Sequence, residues 1–427
     1  MTLLITSGLI IDPARNLEEP RDLLLEKGKV AALEPAGVIP KEGRKVIDAQ
    51  GLVVAPGLID MHVHLREPGE EYKETIETGT RAAAKGGFTG VACMPNTRPV
   101  NDNASITRYI LDQAKAVGSA RVYPVGAISM GSKGEALSEY ADQKAAGAVA
   151  FSDDGWPVMN ALLMRRALEY AKTFDMPVIS HAEDLALRAD GVMHEGKVSV
   201  RLGLKGIPAA AEEVMVYRDV RLARLTGARL HIAHVSTAGA VAIIREAKAA
   251  GVNVTAETAP HYFTLTDEAV VGFDTNAKVN PPLRSEWDRL AVIEGLADGT
   301  LDAVASDHAP HSVLEKDLEF AAAAFGLIGL ETSLGLTLRL VHAGEITLRR
   351  AIALLSANPA AILRVPGGTL APGSPADVTL IDLNREWTVD TAAFASRSRN
   401  CPFHGWTLKG KAVMTILGGK VVFKETN

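Results

Sequence analysis

The chain has 427 residues, a formal net charge of -6, and 47% hydrophobic against 22% charged residues, which fits a soluble globular enzyme with one large α/β domain and a smaller companion. The acidic balance argues against nucleic acid as the main partner, and no apolar run is long enough to span a bilayer. The two cysteines, Cys93 and Cys401, exclude a disulfide framework and a thiolate zinc site, and fit a reducing, cytoplasmic setting.

In chain order, residues 1–55 read as β structure. The start has neither a basic n-region nor a long apolar core, so no signal peptide is expected. Apolar or alternating runs at 3–11, 22–34 and 45–54 are punctuated by Gly8, Gly28, Gly43 and Gly51. The character changes at Pro56. Through residue 364, strand-like runs at 57–64, 89–94, 121–127, 148–152, 177–181, 229–235, 253–257 and 301–306 alternate with helical patterns at 74–85, 104–117, 161–174, 210–225, 238–249 and 285–296. Glycines stand just past these helices, where a left-handed cap is useful. Eight apolar strands, each followed by a crossover, predict a parallel (β/α)8 barrel. A doubly wound open sheet is the competitor, but no Gly-x-Gly-x-x-Gly turn follows an early strand. Residues 365–427 return to β character, with strands at 377–383 and 411–423 and a hairpin turn at Gly418-Gly419. The two β-rich ends are expected to form one small β-sandwich, with the barrel inserted between its halves.

Polar residues gather at the C-terminal ends of the barrel strands. His62 and His64 lie two apart on a strand and therefore share a face. Asp153 and Asp154 follow 150–152, His181 follows 178–180, His234 ends 230–234, and Asp307 follows 304–306. This face of a barrel is where strand ends build active sites. Four histidines and two carboxylates exceed what one zinc ion needs and fit two metal ions sharing a water, with zinc, manganese, cobalt and iron all compatible. Spacing alone leaves Asp153 and Asp154 as alternatives. His231 faces away from His234 and reads as a packed or supporting residue. His194 and His342 are expected at the surface, His404 has no role, and Cys93 reads as a small buried hydrophobe.

The chain resembles the amidohydrolase superfamily and, within it, the bacterial class I dihydroorotases. The likeness rests on the segments 56–69, 94–97 (Met-Pro-Asn-Thr), 151–155 (Phe-Ser-Asp-Asp-Gly), 181–184, 232–236, 257–262, 280–284 and 306–311 (Ser-Asp-His-Ala-Pro-His). It implies a metal-bearing barrel with a β-sandwich from both termini. It implies two zinc ions per chain, one held by His62, His64 and Asp307, the other by His181 and His234, with Asp154 favoured as the bridge. No lysine occurs in 148–155, which departs from the carboxylated-lysine version common in the superfamily and matches the class I aspartate variant. The implied reaction is the reversible cyclisation of N-carbamoyl-L-aspartate to L-dihydroorotate in pyrimidine synthesis, with a bridging hydroxide as nucleophile and Asp307 as general acid and base. Substrate contacts fall to His64, Arg66, Asn96, Asn280, His311, Phe325 and Gly326, with Arg66 pairing a carboxylate. The bland alternative for Arg66 is an ion pair with Glu67, Glu70 or Glu71. The segment 312–324 is expected to form a lid. A homodimer is expected, as is an assembly with aspartate transcarbamoylase. Two other functions compete: a hydantoinase- or allantoinase-type cyclic amidase, and a catalytically silent partner of aspartate transcarbamoylase.

Overall fold

The structure is a computed structural model and describes residues 2–426; Met1 and Asn427, the outermost residues of the two expected β segments, lie outside the described residues. The first segment forms β1 (Thr2–Asp12), β2 (Leu17–Glu26), β3 (Lys29–Pro35), β4 (Lys45–Asp48) and β5 (Val53–Pro56). The run expected over 22–34 is a hairpin, because Lys27 and Gly28 both take positive φ and turn β2 back into β3.

The barrel strands are β6 (Leu58–Val63), β7 (Phe88–Cys93), β8 (Arg121–Gly126), β9 (Ala150–Ser152) and β10 (Val178–Ser180). A separate two-stranded pair, β11 (Met193–His194) and β12 (Gly206–Ile207), lies in the following crossover. Then come β13 (Leu230–Ile232), β14 (Val254–Thr258) and β15 (Ala303–Val304). These eight strands pair in parallel in the order β15-β14-β13-β10-β9-β8-β7-β6. The seam between β15 and β6 is sealed by a parallel bridge between Val63 and His308, the 2.8 Å bond from His64 N to His308 O, and the Asp60 carboxylate accepting Ser306 N. The barrel interior is filled by alanines and methionines such as Met61, Ala92, Ala150, Ala233 and Ala303, together with the branched Val125 and Ile179. A larger apolar layer lies between strands and helices.

Local chemistry starts and stops the helices. Thr75, Asn103, Asn160 and Ser285 cap Ile76–Gly86, Ala104–Val117, Ala161–Thr173 and Glu286–Asp298 by accepting first-turn amides. Glycines 87, 118 and 299 terminate the first, second and fourth of these in the left-handed region. Among the described residues no helix is long and apolar enough to cross a membrane.

The C-terminal strands β16 (Val378–Thr388), β17 (Thr407–Leu417) and β18 (Lys420–Lys424) join the N-terminal ones through β16 and β5. The sheet order is β18-β17-β16-β5-β1-β2-β3, with β4 on β1. The two ends of the chain thus build one sheet over a shared core of Leu3, Ile5, Leu23, Val54, Leu380 and Ile416. Arg121 donates to both oxygens of Asp377, at 2.7 and 3.1 Å, and ties this sheet to the barrel. The helix Ser333–His342 has no counterpart in the sequence reading. Most of its side chains are buried, with Gly335 against Leu408 of β17, so it shows little polar face by which to recognise a helical period.

Candidate metal centre and active site

The strand ends converge as parallel-barrel geometry dictates. Asp154 lies at the centre of four imidazoles. Its Oδ1 is 3.3 Å from His62 Nε2, 3.6 Å from His181 Nδ1 and 3.5 Å from His234 Nε2, and its Oδ2 is 3.5 Å from His64 Nε2. Asp307 Oδ1 closes one side, 3.1 Å from His64 Nε2 and 3.6 Å from His62 Nε2. Two groups with metal-ligand geometry share Asp154: His62, His64 and Asp154, and Asp154, His181 and His234. Asp153 is turned away. Its carboxylate accepts Ser129 N at 3.0 Å and the Ser129 hydroxyl, and closes the 127–138 loop. Of the two aspartates left open by spacing, Asp154 is thus the one that faces the imidazoles; both lie in the turn beyond β9, where strand alternation no longer applies.

Several histidines have one nitrogen committed outside the cluster. His62 Nδ1 lies 2.7 Å from Glu257 Oε1, and His64 Nδ1 lies 2.9 Å from Asn96 Oδ1. Donation by Nδ1–H leaves each Nε2 lone pair facing the aspartates. His181 is reversed, with Nε2 towards Glu183 at 3.6 Å and Nδ1 in the cluster. Buried His62 Nε2 and Asp154 Oδ1 have no hydrogen-bond partner. Lone pairs and carboxylate oxygens converging in a dry site repel one another unless a cation or proton lies between them. The donor set fits a divalent metal. Burial opposes ionisation of Asp154, yet the imidazoles, His62 foremost, outweigh it and hold its carboxyl well below the usual range. Burial likewise opposes ionisation of Asp307, and the bond to His64 with the charges of the nearby imidazoles again wins.

Behind His62, Glu257 also approaches His231 Nε2 at 3.3 Å, and His231 Nδ1 meets Thr255 Oγ1 at 2.8 Å. His231 is thus a supporting residue. Burial opposes ionisation of Glu257, but the bonds to His231 and His62 bring its carboxyl down to about 2. Replacing Glu257 by Gln leaves an amide that can present its donor to His62 Nδ1 and release the wrong tautomer. The expected result is about 10- to 100-fold weaker metal binding, read by chelator competition, with the melting transition still cooperative.

A cavity of about 340 Å³ opens over the cluster, lined by His64, Arg66, Asn96, Asp154, His181, His234, Asn280, Asp307, His311, Phe325 and Gly326. Every residue expected at the site lines it except His62, which is wholly buried beneath. Arg66 makes no ion pair with its acidic neighbours. Glu67 accepts Ile76 N, Glu70 pairs with Lys73, and Glu71 accepts Gly69 N. The buried guanidinium instead donates through Nε to Pro310 O at 3.1 Å and places Nη2 3.4 Å from His311 Nε2. Burial, then the positive charges of Arg66 and Lys73, push His311 down to about 2, so it faces Arg66 as a neutral acceptor. Asn280 donates to Glu183 at 3.2 Å and keeps a buried Oδ1 with no partner.

His194 is not at the surface. It lies buried in β11, with Nδ1 3.4 Å from Arg284, and burial together with that charge lowers it to about 4. His342 and His404 are exposed, and Cys93 is buried. The sequence reading missed Glu257 and Glu183, although Glu257 lies on a strand that ends at the barrel mouth. It also missed Glu74, which meets His308 Nε2 at 3.2 Å and so braces the residue after Asp307.

A family model described as dihydro-orotase-like matches residues 51–240. The dihydroorotase of Geobacter metallireducens is 60% identical over 425 residues, covering 100% of both chains. That of Syntrophus aciditrophicus is 58% identical over 426 residues, again covering 100% of both. Among solved structures, the L-hydantoinase (dihydropyrimidinase) from Arthrobacter aurescens superposes with a TM-score of 0.89 at 26% identity, covering 100% of this chain and 96% of that one. The dihydropyrimidinase from Brevibacillus agri gives 0.85 at 24% identity, covering 99% and 95%, which is a likeness of fold.

Proposed function

Because the chain belongs to the dihydroorotase family, we propose that its barrel mouth interconverts L-dihydroorotate and N-carbamoyl-L-aspartate, a step of pyrimidine synthesis. The observation that carries the reading is Arg66. A buried guanidinium without a carboxylate partner stands beside a histidine–aspartate cluster, and both line one cavity. An anionic substrate supplies the missing partner through a bidentate pair, and the cluster supplies amide hydrolysis.

His62, His64 and Asp307 would hold one divalent ion and His181 and His234 the other, with Asp154 between them; we infer zinc, two ions per chain, from the imidazole and carboxylate donors. Such ions supply polarisation of the ring carbonyl and a water made nucleophilic near neutral pH. The chain's own groups do the rest. In the hydrolytic direction a C–O bond forms at the ring carbonyl carbon and its bond to the ring nitrogen breaks. Asp307, ionised and 3.1 Å from His64, takes the proton of the attacking water and delivers it to the departing nitrogen. Cyclisation runs the same transfers backwards. Arg66 holds the carboxylate, His311 backs Arg66, and the free Asn280 Oδ1 accepts a ring N–H. Asn96 has Oδ1 on His64, so it contributes to the substrate through its amide nitrogen. The Phe325 ring walls the pocket.

The deciding experiment offers the purified chain L-dihydroorotate and hydantoin, with metal content measured on the same sample. Turnover of dihydroorotate alone supports the reading; turnover of hydantoin alone transfers the site to the cyclic amidases. Arg66→Met is expected to lower kcat/KM for dihydroorotate by about 10- to 100-fold, the loss of a charged hydrogen-bonding pair, while metal content stays unchanged. An unchanged kcat/KM removes Arg66 from the substrate site. The resemblance supports a homodimer and an assembly with aspartate transcarbamoylase, read by light scattering of the chain alone and mixed with that enzyme. Two free buried cysteines fit a cytoplasmic setting.

A further inference from the structure

Two lysines outside the proposed chemistry are almost wholly buried, Lys278 at 2% and Lys316 at 5% exposure. Lys278 Nζ donates to the carbonyls of Phe320, Ala321 and Ala323 at 2.7, 2.9 and 2.7 Å. Lys316 Nζ donates to those of Ala324 and Gly326 at 2.8 and 2.9 Å. The acidic groups bearing on Lys316 are engaged elsewhere: Glu315 pairs with Lys73 at 2.9 Å, and Asp274 accepts Asn276 N at 2.9 Å. Charge burial without a direct carboxylate partner is costly. Here it is offset by main-chain dipoles, five of them from one stretch of chain, residues 320–326, and a sixth from Lys278 O, 3.5 Å from Lys316 Nζ.

We propose that Lys278 and Lys316 are positioning residues for the substrate, which suspend the 317–326 arch by its carbonyls and so set Phe325 against the substrate cavity. The arch carries Phe325 and Gly326 into the lining of that cavity. Both backbone groups of Gly326 are committed to the suspension. Its N–H donates to Lys278 O at 2.8 Å, and its carbonyl accepts Lys316 Nζ and Asn400 Nδ2. Gly326 has φ 130°, and a Cβ there would lie 2.8 Å from Ala309 Cβ, so only glycine lets the arch lie this close to the loop that carries His311. The Lys278 ammonium also lies 4.5 Å from the Phe325 ring centroid, while Arg188 covers the same ring at 5.4 Å. Lys278 stands two residues before Asn280, so one side chain couples two walls of the pocket. A tetrahedral ammonium can satisfy three carbonyls at once. An apolar side chain of similar length satisfies none and leaves their dipoles buried and unpaired. These bonds anchor the C-terminal part of the 312–324 segment expected as a lid.

The inference rests on the cavity being the dihydroorotate site, and the test separates the two. Lys278→Met and Lys316→Met are compared with the wild type by hydrogen–deuterium exchange of the 317–326 amides and by steady-state kinetics with L-dihydroorotate. Exchange is expected to rise about tenfold or more in this segment alone. KM is expected to rise about tenfold with kcat within about threefold, the signature of lost binding without lost chemistry. Metal content stays as in the wild type. Unchanged exchange overturns the suspension, and raised exchange with an unchanged KM overturns its role in positioning substrate. If a methionine variant does not fold, the glutamine variant at that position, with two donors and no charge, is read against the same criteria. A wild type that turns over no dihydroorotate overturns the proposed function, while the exchange data still decide whether the lysines hold the arch.

Discussion

Replacing Asp307 by asparagine is expected to lower turnover of L-dihydroorotate and of N-carbamoyl-L-aspartate alike, by about 10^3-fold, within the range for loss of a positioned general acid–base group. The asparagine side chain matches the carboxylate in shape, and the site around it is stiff. Asp307 takes φ 47°, His234 φ 36° and Arg66 φ 61°, left-handed conformations that are uncommon for side-chain-bearing residues and here occur in buried chain. Glu74 on His308 and Asp60 on Ser306 constrain the chain on either side of residue 307. The substitution thus removes proton transfer with little change of place. Because the same carboxylate would also hold a metal, the loss has two possible sources. They separate by metal analysis: an Asp307→Asn protein that keeps His181-side metal and binds dihydroorotate with near-normal affinity, yet does not turn it over, assigns the loss to proton transfer. Loss of all metal together with substrate binding assigns it to site collapse. Equal loss of kcat/KM in both directions is required, since a substitution in the catalyst leaves the equilibrium constant of the reaction unchanged.

The strand-end histidines were legible for a topological reason. A parallel barrel sends all strand C-termini to one face, so polar residues closing apolar runs at 62–64, 181, 234 and 307 meet whatever the details of packing. Alternation placed His62 with His64 and His231 away from His234, and His231 does lie behind the cluster on Glu257. Alternation fails where the strand ends. Strand β9 stops at Ser152, so Asp153 and Asp154 are turn residues whose directions come from tertiary contacts with Ser129 and the imidazoles. The expectation of a surface His194 fails because its burial depends on β11 pairing with β12 and on Arg284 from a distant crossover. Lys278 and Lys316 are illegible for another reason. Lysines in a loop read as solvated, and their partners here are carbonyls, which every residue carries and no sequence displays. The helix Ser333–His342 hid because it is buried on most of its circumference.

The second large effect is expected at Asp154. Its substitution by asparagine keeps the volume but removes the charge that faces four imidazoles, and nearly all activity should go with the metal. The argument turns on His181. Burial disfavours its charged form, but the bonds to Asp154 and Glu183 prevail and raise it to about 9 in the metal-free site. A divalent ion must displace that proton, because only a neutral imidazole is a ligand. The sign follows: below about pH 9 the metal-free site holds a proton that the loaded site lacks, so apparent affinity rises with pH by about tenfold per unit for each proton released, and levels off above. With Asp154→Asn the leading cause of the raised value is gone and burial dominates, which favours neutral His181. The variant is therefore expected to bind metal far more weakly at every pH, and with a flatter pH dependence, in chelator-buffered titrations of the metal-free protein. A variant that is weaker but keeps the wild-type slope would place the displaced proton elsewhere, while one that keeps wild-type metal content would remove Asp154 from the centre of the site.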